Sequence, residues 1–176
     1  NRDLGAADEL ATMLARDSAH NRRAAAEAHG RIGSPAHISS LLDAIANCQD
    51  RSLQHAVTYA VMEIGSAEEV RRVIKDATDT QTQRAGLIVL DQLGPDILAA
   101  DEVLPLLASD DAVLRDTAWW IVEHHDSWAD QLAPYLQKWI SSRPLDADSL
   151  VLVSQRLARF AEVTTVQQVL ARELAD

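Results

Sequence analysis

Asp110–His125, DDAVLRDTAWWIVEHH, sets the register for the whole chain. An aspartate is followed five residues later by Arg115, and small or apolar residues then recur at helical spacing, at Thr117, Trp120, Ile121 and His124. Three earlier segments repeat the plan. Ser18, preceded by Asp17, leads to Arg23, then Ala25, Ala28, His29 and Ile32. Asp50 leads to His55, then Val57, Ala60, Val61 and Ile64; Asp79 leads to Arg84, then Gly86, Val89, Leu90 and Leu93. The anchors Arg23, His55, Arg84 and Arg115 lie 32, 29 and 31 positions apart. A period near thirty marks helical repeats.

Each repeat reads as a helix A and a helix B. The A helices stop at Gly33, Gly65 and Gly94-Pro95, glycine being favoured just past a helix end. Pro35 suits the first turn of the next helix. The B helices carry apolar stripes: Ile38, Leu41, Leu42 and Ile45; Val70, Val73, Ile74 and Ala77; Val103, Leu104, Leu106 and Leu107; Leu132, Tyr135, Leu136 and Trp139. Ahead of them, Leu10, Met13 and Leu14 share one face of a helix that reads as the second half of an interrupted repeat. The chain thus divides into 1–17, 18–49, 50–78, 79–109, 110–143 and a degenerate closing repeat, 144–176. There Asp146 keeps the aspartate and Val153, Leu157 and Phe160 the apolar register, while Val151 replaces the Arg and Arg156 breaks the pattern; Val166, Val169, Leu170 and Leu174 supply a last helix. A polar, irregular end is what a capping repeat requires.

No segment alternates polar and apolar residues long enough for a strand. The expected fold is all-α, a right-handed α–α superhelix of about five helical pairs in one domain. Neither helix pair can bury its apolar faces alone, so neighbours must stack. Small residues at Ala25, Ala28, Ala60 and Gly86 allow that approach.

Asp50, Asp79 and Asp110 are expected to cap the A helices through their carboxylates, with the Ser18 hydroxyl doing so in the first repeat. Arg23, His55, Arg84 and Arg115 can reach the aspartate of their own or an adjacent repeat as a ladder, or stand as solvated surface charges of little energetic weight. His55 is the weak rung, because neutral imidazole lacks the fixed donor fork of Arg.

Composition narrows the function. With 27 acidic against 16 basic residues the net charge is −11, which opposes a phosphate backbone, and no basic run reverses it locally. The lone Cys48 excludes an internal disulfide and any CxxC motif. No apolar run approaches the roughly 18 residues of a membrane span. The absence of an initiator Met or signal peptide at Asn1 reads as a piece of something longer.

Chemistry is hard to place. Glu123, His124, His125 and Asp126 form the densest titratable cluster, but adjacent histidines diverge by about 100° on a helix and do not chelate from one face. His124 falls in the register of Ile32, Ile64 and Leu93, a semi-buried packing role, and His125 can help close the helix C-terminus. No nucleophile, metal or cofactor constellation is expected in this segment. A binding role fits better: protein or flanking domains of the same chain as partners, no nucleic acid, no membrane insertion. The exposed acids of the B helices (Asp43, Glu68, Glu69, Asp76, Asp101 and Glu102) suit a basic or polar partner, or serve solubility alone.

The RxxAxxAL-like helices ending in Gly resemble the HEAT repeat, in the short bacterial form related to the lyase-type repeats, well over 17–140 and loosely beyond. RAGLIVLDQL (84–93) and VLRDTAWWIVEHHDSWAD (113–130) further resemble the HEAT region of large bacterial proteins that join a dehydrogenase-like β-propeller, HEAT repeats and a c-type haem domain. That resemblance implies a scaffold or spacer outside the cytoplasm, with any haem beyond Asp176. Three HEAT-built enzyme families fit less well, the first being the phycobilin lyases, which share related repeats although the repeat alone does not carry their activity. A di-iron hydroxylase type would require His-Glu dipeptides, none of which occurs, and a glycosylase type would require a basic groove.

Aromatics mark a candidate partner surface. Five of the seven, Trp119, Trp120, Trp128, Tyr135 and Trp139, fall within 21 residues. Counted from Asp110, Trp120 joins Ala28, Ala60 and Val89 in the core. On the same count Trp119 aligns with Glu27, Tyr59 and Ile88, so Tyr59, Ile88 and Trp119 form an expected stripe on the outer side of the A helices. That stripe serves a flanking domain, or is covered by packing between A helices.

Overall fold

The structure is a computed structural model that describes residues 6–46, 48–142, 160 and 163–173. The described residues are all-helical, without strands. They fall into two compact units, Asn1–Leu98 and Ala99–Asp176. The expected features at Asp146, Val151, Val153, Arg156, Leu157 and Leu174, and the side chains of Trp139, Val169 and Leu170, lie outside the described residues.

In the first unit, α1 (Ala7–Arg16), α3 (Ile38–Asp43) and α5 (Ala67–Asp76) form one layer, and α2 (Ala19–Ile32), α4 (Arg51–Ile64) and α6 (Thr80–Gln92) the other. Within the layers α2 packs on α4 and α4 on α6, while α1 packs on α3 and α3 on α5; across them α1 meets α2, α3 meets α4 and α5 meets α6.

The helix α4 shows how the sequence specifies an element. Asp50 begins it, its Oδ1 accepting the Ser52 and Leu53 amides at 2.9 and 3.2 Å. Leu53, Val57, Ala60 and Val61 lie on one face by helical spacing, and all are fully buried. Burying each of the larger ones contributes about 1.5–3 kcal/mol. Gly65 ends the helix at φ 73°, in the left-handed region, its N–H donating to the Val61 carbonyl. The helix α2 ends in the same way at Gly33, φ 70°.

Glycine also sets how closely the helices approach, within a layer and across layers. A Cβ on Gly30 would lie 3.0 Å from the Ala60 Cα and collide with the Glu63 carboxylate, so α2 and α4 are in near backbone contact there. A Cβ on Gly86 would collide with the Ile74 side chain of α5.

The B helices are less regular than their apolar stripes suggest. A 3-10 turn, Pro35–His37, precedes the six-residue α3, whose stripe Ile38, Leu41, Leu42 and Ile45 is buried. In α5 only Val70 is fully buried; Val73, Ile74 and Ala77 are half-buried.

The second unit contains α7 (Ala100–Val103), α8 (Ala112–Val122), α9 (Ala129–Ser142) and α10 (Thr164–Glu173). The expected third helix B is one turn of α-helix followed by a 3-10 segment, Leu104–Ala108. Pro105 lacks the N–H that an α-helical bond there would need. This segment packs on α8 and α9, and α10 packs on α9. Leu132, Leu136, Phe160 and Val166 are buried, but Tyr135, expected in the α9 stripe, is 39% exposed. No helix among the described residues is long and apolar enough to cross a membrane.

Candidate interaction surface

The caps decide which side chains face outward. Ser18 Oγ accepts from the Asn21 amide at 3.3 Å and Asp79 Oδ1 from the Thr82 amide at 2.8 Å, so both stand at their expected places beside Asp50. Before α8 the cap is Asp111 and not Asp110. Its Oδ1 accepts the Val113 and Leu114 amides at 2.9 and 3.0 Å, and its own N–H donates to Ser109 Oγ at 3.2 Å. Asp110 is exposed.

Moving the cap one residue along the chain turns every side chain of α8 by about 100° relative to the expected register. Counted from the true caps, the positions three, seven, ten and eleven residues on are Leu53, Val57, Ala60 and Val61 in α4; Thr82, Gly86, Val89 and Leu90 in α6; and Leu114, Ala118, Ile121 and Val122 in α8. All twelve are buried. The ninth position holds Glu27, Tyr59, Ile88 and Trp120.

In the first unit Tyr59 and Ile88 stand at the ninth position, but the expected last member of the stripe, in the second unit, does not reach the surface. Trp119 is 2% exposed and belongs to the core, packed in a small cavity with Leu104, Leu107 and Leu136. Trp120, expected inside, is 42% exposed; Tyr59 is 56% exposed and Ile88 half-buried. On α8, Val113, Asp116 and Trp120 share the outward face, and all are exposed, as is His124 just past the helix end. His124 is likewise not the semi-buried residue expected. Its Nδ1 lies 2.6 Å from the Trp120 carbonyl oxygen, with its ring 5.0 Å from the indole. His125 N–H donates to the Val122 carbonyl at 3.1 Å, just past the helix end, and its ring stacks at 4.0 Å on the buried Trp128.

The anchors of the ladder separate into two kinds. Arg23 Nη1 lies 4.0 Å from Asp50 Oδ2, a rung between α2 and the next cap, with both side chains about one-third exposed. Solvent screening holds such a pair to about 0–1 kcal/mol. Among the described residues His55 makes no such pair with Asp79. Arg115, counted from Asp111, is one place earlier than the other anchors and takes a different part. It donates to the Ser109 carbonyl at 2.9 Å, two residues before the cap. Gln54 does the same to Cys48 at 2.5 Å and Gln83 to Ala77 at 2.7 Å.

A side-chain donor four residues after the cap thus ties the incoming loop to the helix in α4, α6 and α8. Arg22 occupies that place in α2 and reaches further, to the Leu14 carbonyl at 2.8 Å and the Ala44 carbonyl at 2.6 Å. This recurring clamp was missed by reasoning from charge. Its signal is plain in the row Arg22, Gln54, Gln83, Arg115.

On the other layer of the first unit, a cleft of about 290 Å³ opens between α3, α5 and the start of α6, edged by Asp43, Asp76 and Asp79. Arg72 at its rim donates to Glu69 at 2.9 Å and holds that carboxyl below its ordinary range. In the second unit Glu102 accepts the Ala99 amide at 2.9 Å. Among the described residues, no group of three or more His, Cys, Asp or Glu side chains converges as a metal site. No protein-family model matches the chain, and no curated protein is similar to it at a significant level.

Proposed function

We propose that the chain is a HEAT-like helical-repeat module that binds protein, a separate partner or flanking domains of its own chain, and does not itself catalyse a reaction. The carrying observation is the exposure of Tyr59 and Trp120. Both stand nine residues after their caps, on helices whose core positions are filled throughout. Large aromatics held at the surface of a rigid helix bury much area on association at little conformational cost. The packing of successive helices within each layer of the first unit supports the α–α superhelix as the parent architecture. The carboxylates around the α3–α5–α6 cleft favour a basic or polar partner. The narrower resemblance extends the proposal to a haem-containing electron-transfer protein outside the cytoplasm, for which a CxxCH motif in flanking sequence would be the evidence.

A photo-crosslinking residue placed at 59, at 120 and, as a control, at the exposed position 131 tests the reading. The proposal expects adducts with one partner or flanking domain from 59 or 120 and none from 131. Equal labelling at all three, or adducts from 131 alone, would contradict it.

A further inference from the structure

The eleventh position after the cap is Val61 in α4, Leu90 in α6 and Val122 in α8; in α2 it is His29. The imidazole is fully buried, and among the described residues neither ring nitrogen has a hydrogen-bond partner. It precedes Gly30, where α2 is in near backbone contact with α4. The group in contact with it is another imidazole, His37 of the 3-10 turn, with ring centroids 4.8 Å apart. Among the described side chains, Glu9 and Arg16 of α1, Asp43 of α3, and Arg51, His55, Tyr59 and Glu63 of α4 are the charged or titratable groups on the neighbouring elements, and none of them is hydrogen-bonded to it. An imidazolium here would have no counter-charge in contact and no exposure to bulk solvent, and would face a second imidazole rather than a carboxylate.

We propose that the His29–His37 pair is an acid-sensitive latch: neutral, it lets α2 seat on α4, and proton uptake by His29 requires α2 to lift away. Burial first, then the neighbouring His37, pushes the His29 pKa down from its ordinary value. The opened state binds the proton near pH 6.5 and the closed state only below that. The latch is therefore fully stable above about pH 6.5, and its closure weakens as pH falls through that value, by up to tenfold in the opening constant per pH unit. Unit 2 has no buried histidine among its described residues, His124 being exposed and His125 half-buried.

Hydrogen exchange of the whole chain at pH 7.5, 6.0 and 5.0, corrected for intrinsic exchange chemistry, tests the latch. Opening of α2 amides should rise up to tenfold per unit below about pH 6.5, and His29→Leu should flatten that dependence while leaving α8 unchanged. An α2 that stays equally protected at pH 5.0, or a His29→Leu chain with the wild-type dependence, overturns the proposal. Ring resonances of the unmodified protein give a reading that needs no variant. A His29 ring that protonates while the α2 amides remain protected also overturns it.

Discussion

The helices α4 and α8 obey one burial rule from different starting cues. One aspartate precedes α4, and its carboxylate has no competitor for the Ser52 and Leu53 amides. Two precede α8, and the second wins, leaving Asp110 in solvent. A shift of one residue is enough to exchange Trp119 and Trp120 between core and surface. Apolar periodicity alone could not decide between the two registers, because both tryptophans satisfy a helical stripe. Backbone capping decides it, by fixing where the helix starts.

The comparison makes predictions that can break it. Away from the two tryptophans, the largest effect belongs to the third position after the caps of α4 and α8. Leu53→Ala and Leu114→Ala should each cost about 2–5 kcal/mol, read from denaturant midpoints, because both side chains are buried. A neutral Leu114→Ala would mean that α8 starts elsewhere. Next comes Gly86→Ala, which drives a methyl group into Ile74 and should cost about 1–3 kcal/mol; pairing it with Ile74→Ala should recover part of that loss. Smaller still is the cap itself. Asp111→Ala should lower stability by about 0.5–2 kcal/mol, whereas Asp110→Ala should change it by less than about 0.5 kcal/mol. Equal losses from the two would show the caps to be shared.

Much of this was legible from the residues. The glycine stops at Gly33 and Gly65, the caps at Ser18, Asp50 and Asp79, and the buried positions Val57, Ala60 and Val61 of α4 and Gly86, Val89 and Leu90 of α6 follow from local chemistry that tertiary structure leaves intact. Other features needed the structure. The doublet Asp110-Asp111 offers two equivalent carboxylates, and only the Ser109 bond and the packing of Leu114 choose between them. Prolines at 35 and 105 converted expected B-helix turns into 3-10 segments. The clamp at Arg22, Gln54, Gln83 and Arg115 was visible as a row of side-chain donors. Two of the four are uncharged, however, so the row carries no charge pattern. His29 was legible as a polar residue in an apolar register, but its lack of partners is a tertiary fact.

The two adjacent tryptophans, one buried and one exposed, report the register of α8 most directly. Trp119→Ala and Trp120→Ala, compared by thermal unfolding, place the register of α8 without reference to any partner. Trp119→Ala should cost about 3–5 kcal/mol, a fall in melting temperature of many degrees, and Trp120→Ala should cost less than about 1 kcal/mol. A chain that tolerates loss of Trp119 and unfolds on loss of Trp120 would contradict the register, and with it the surface proposed here.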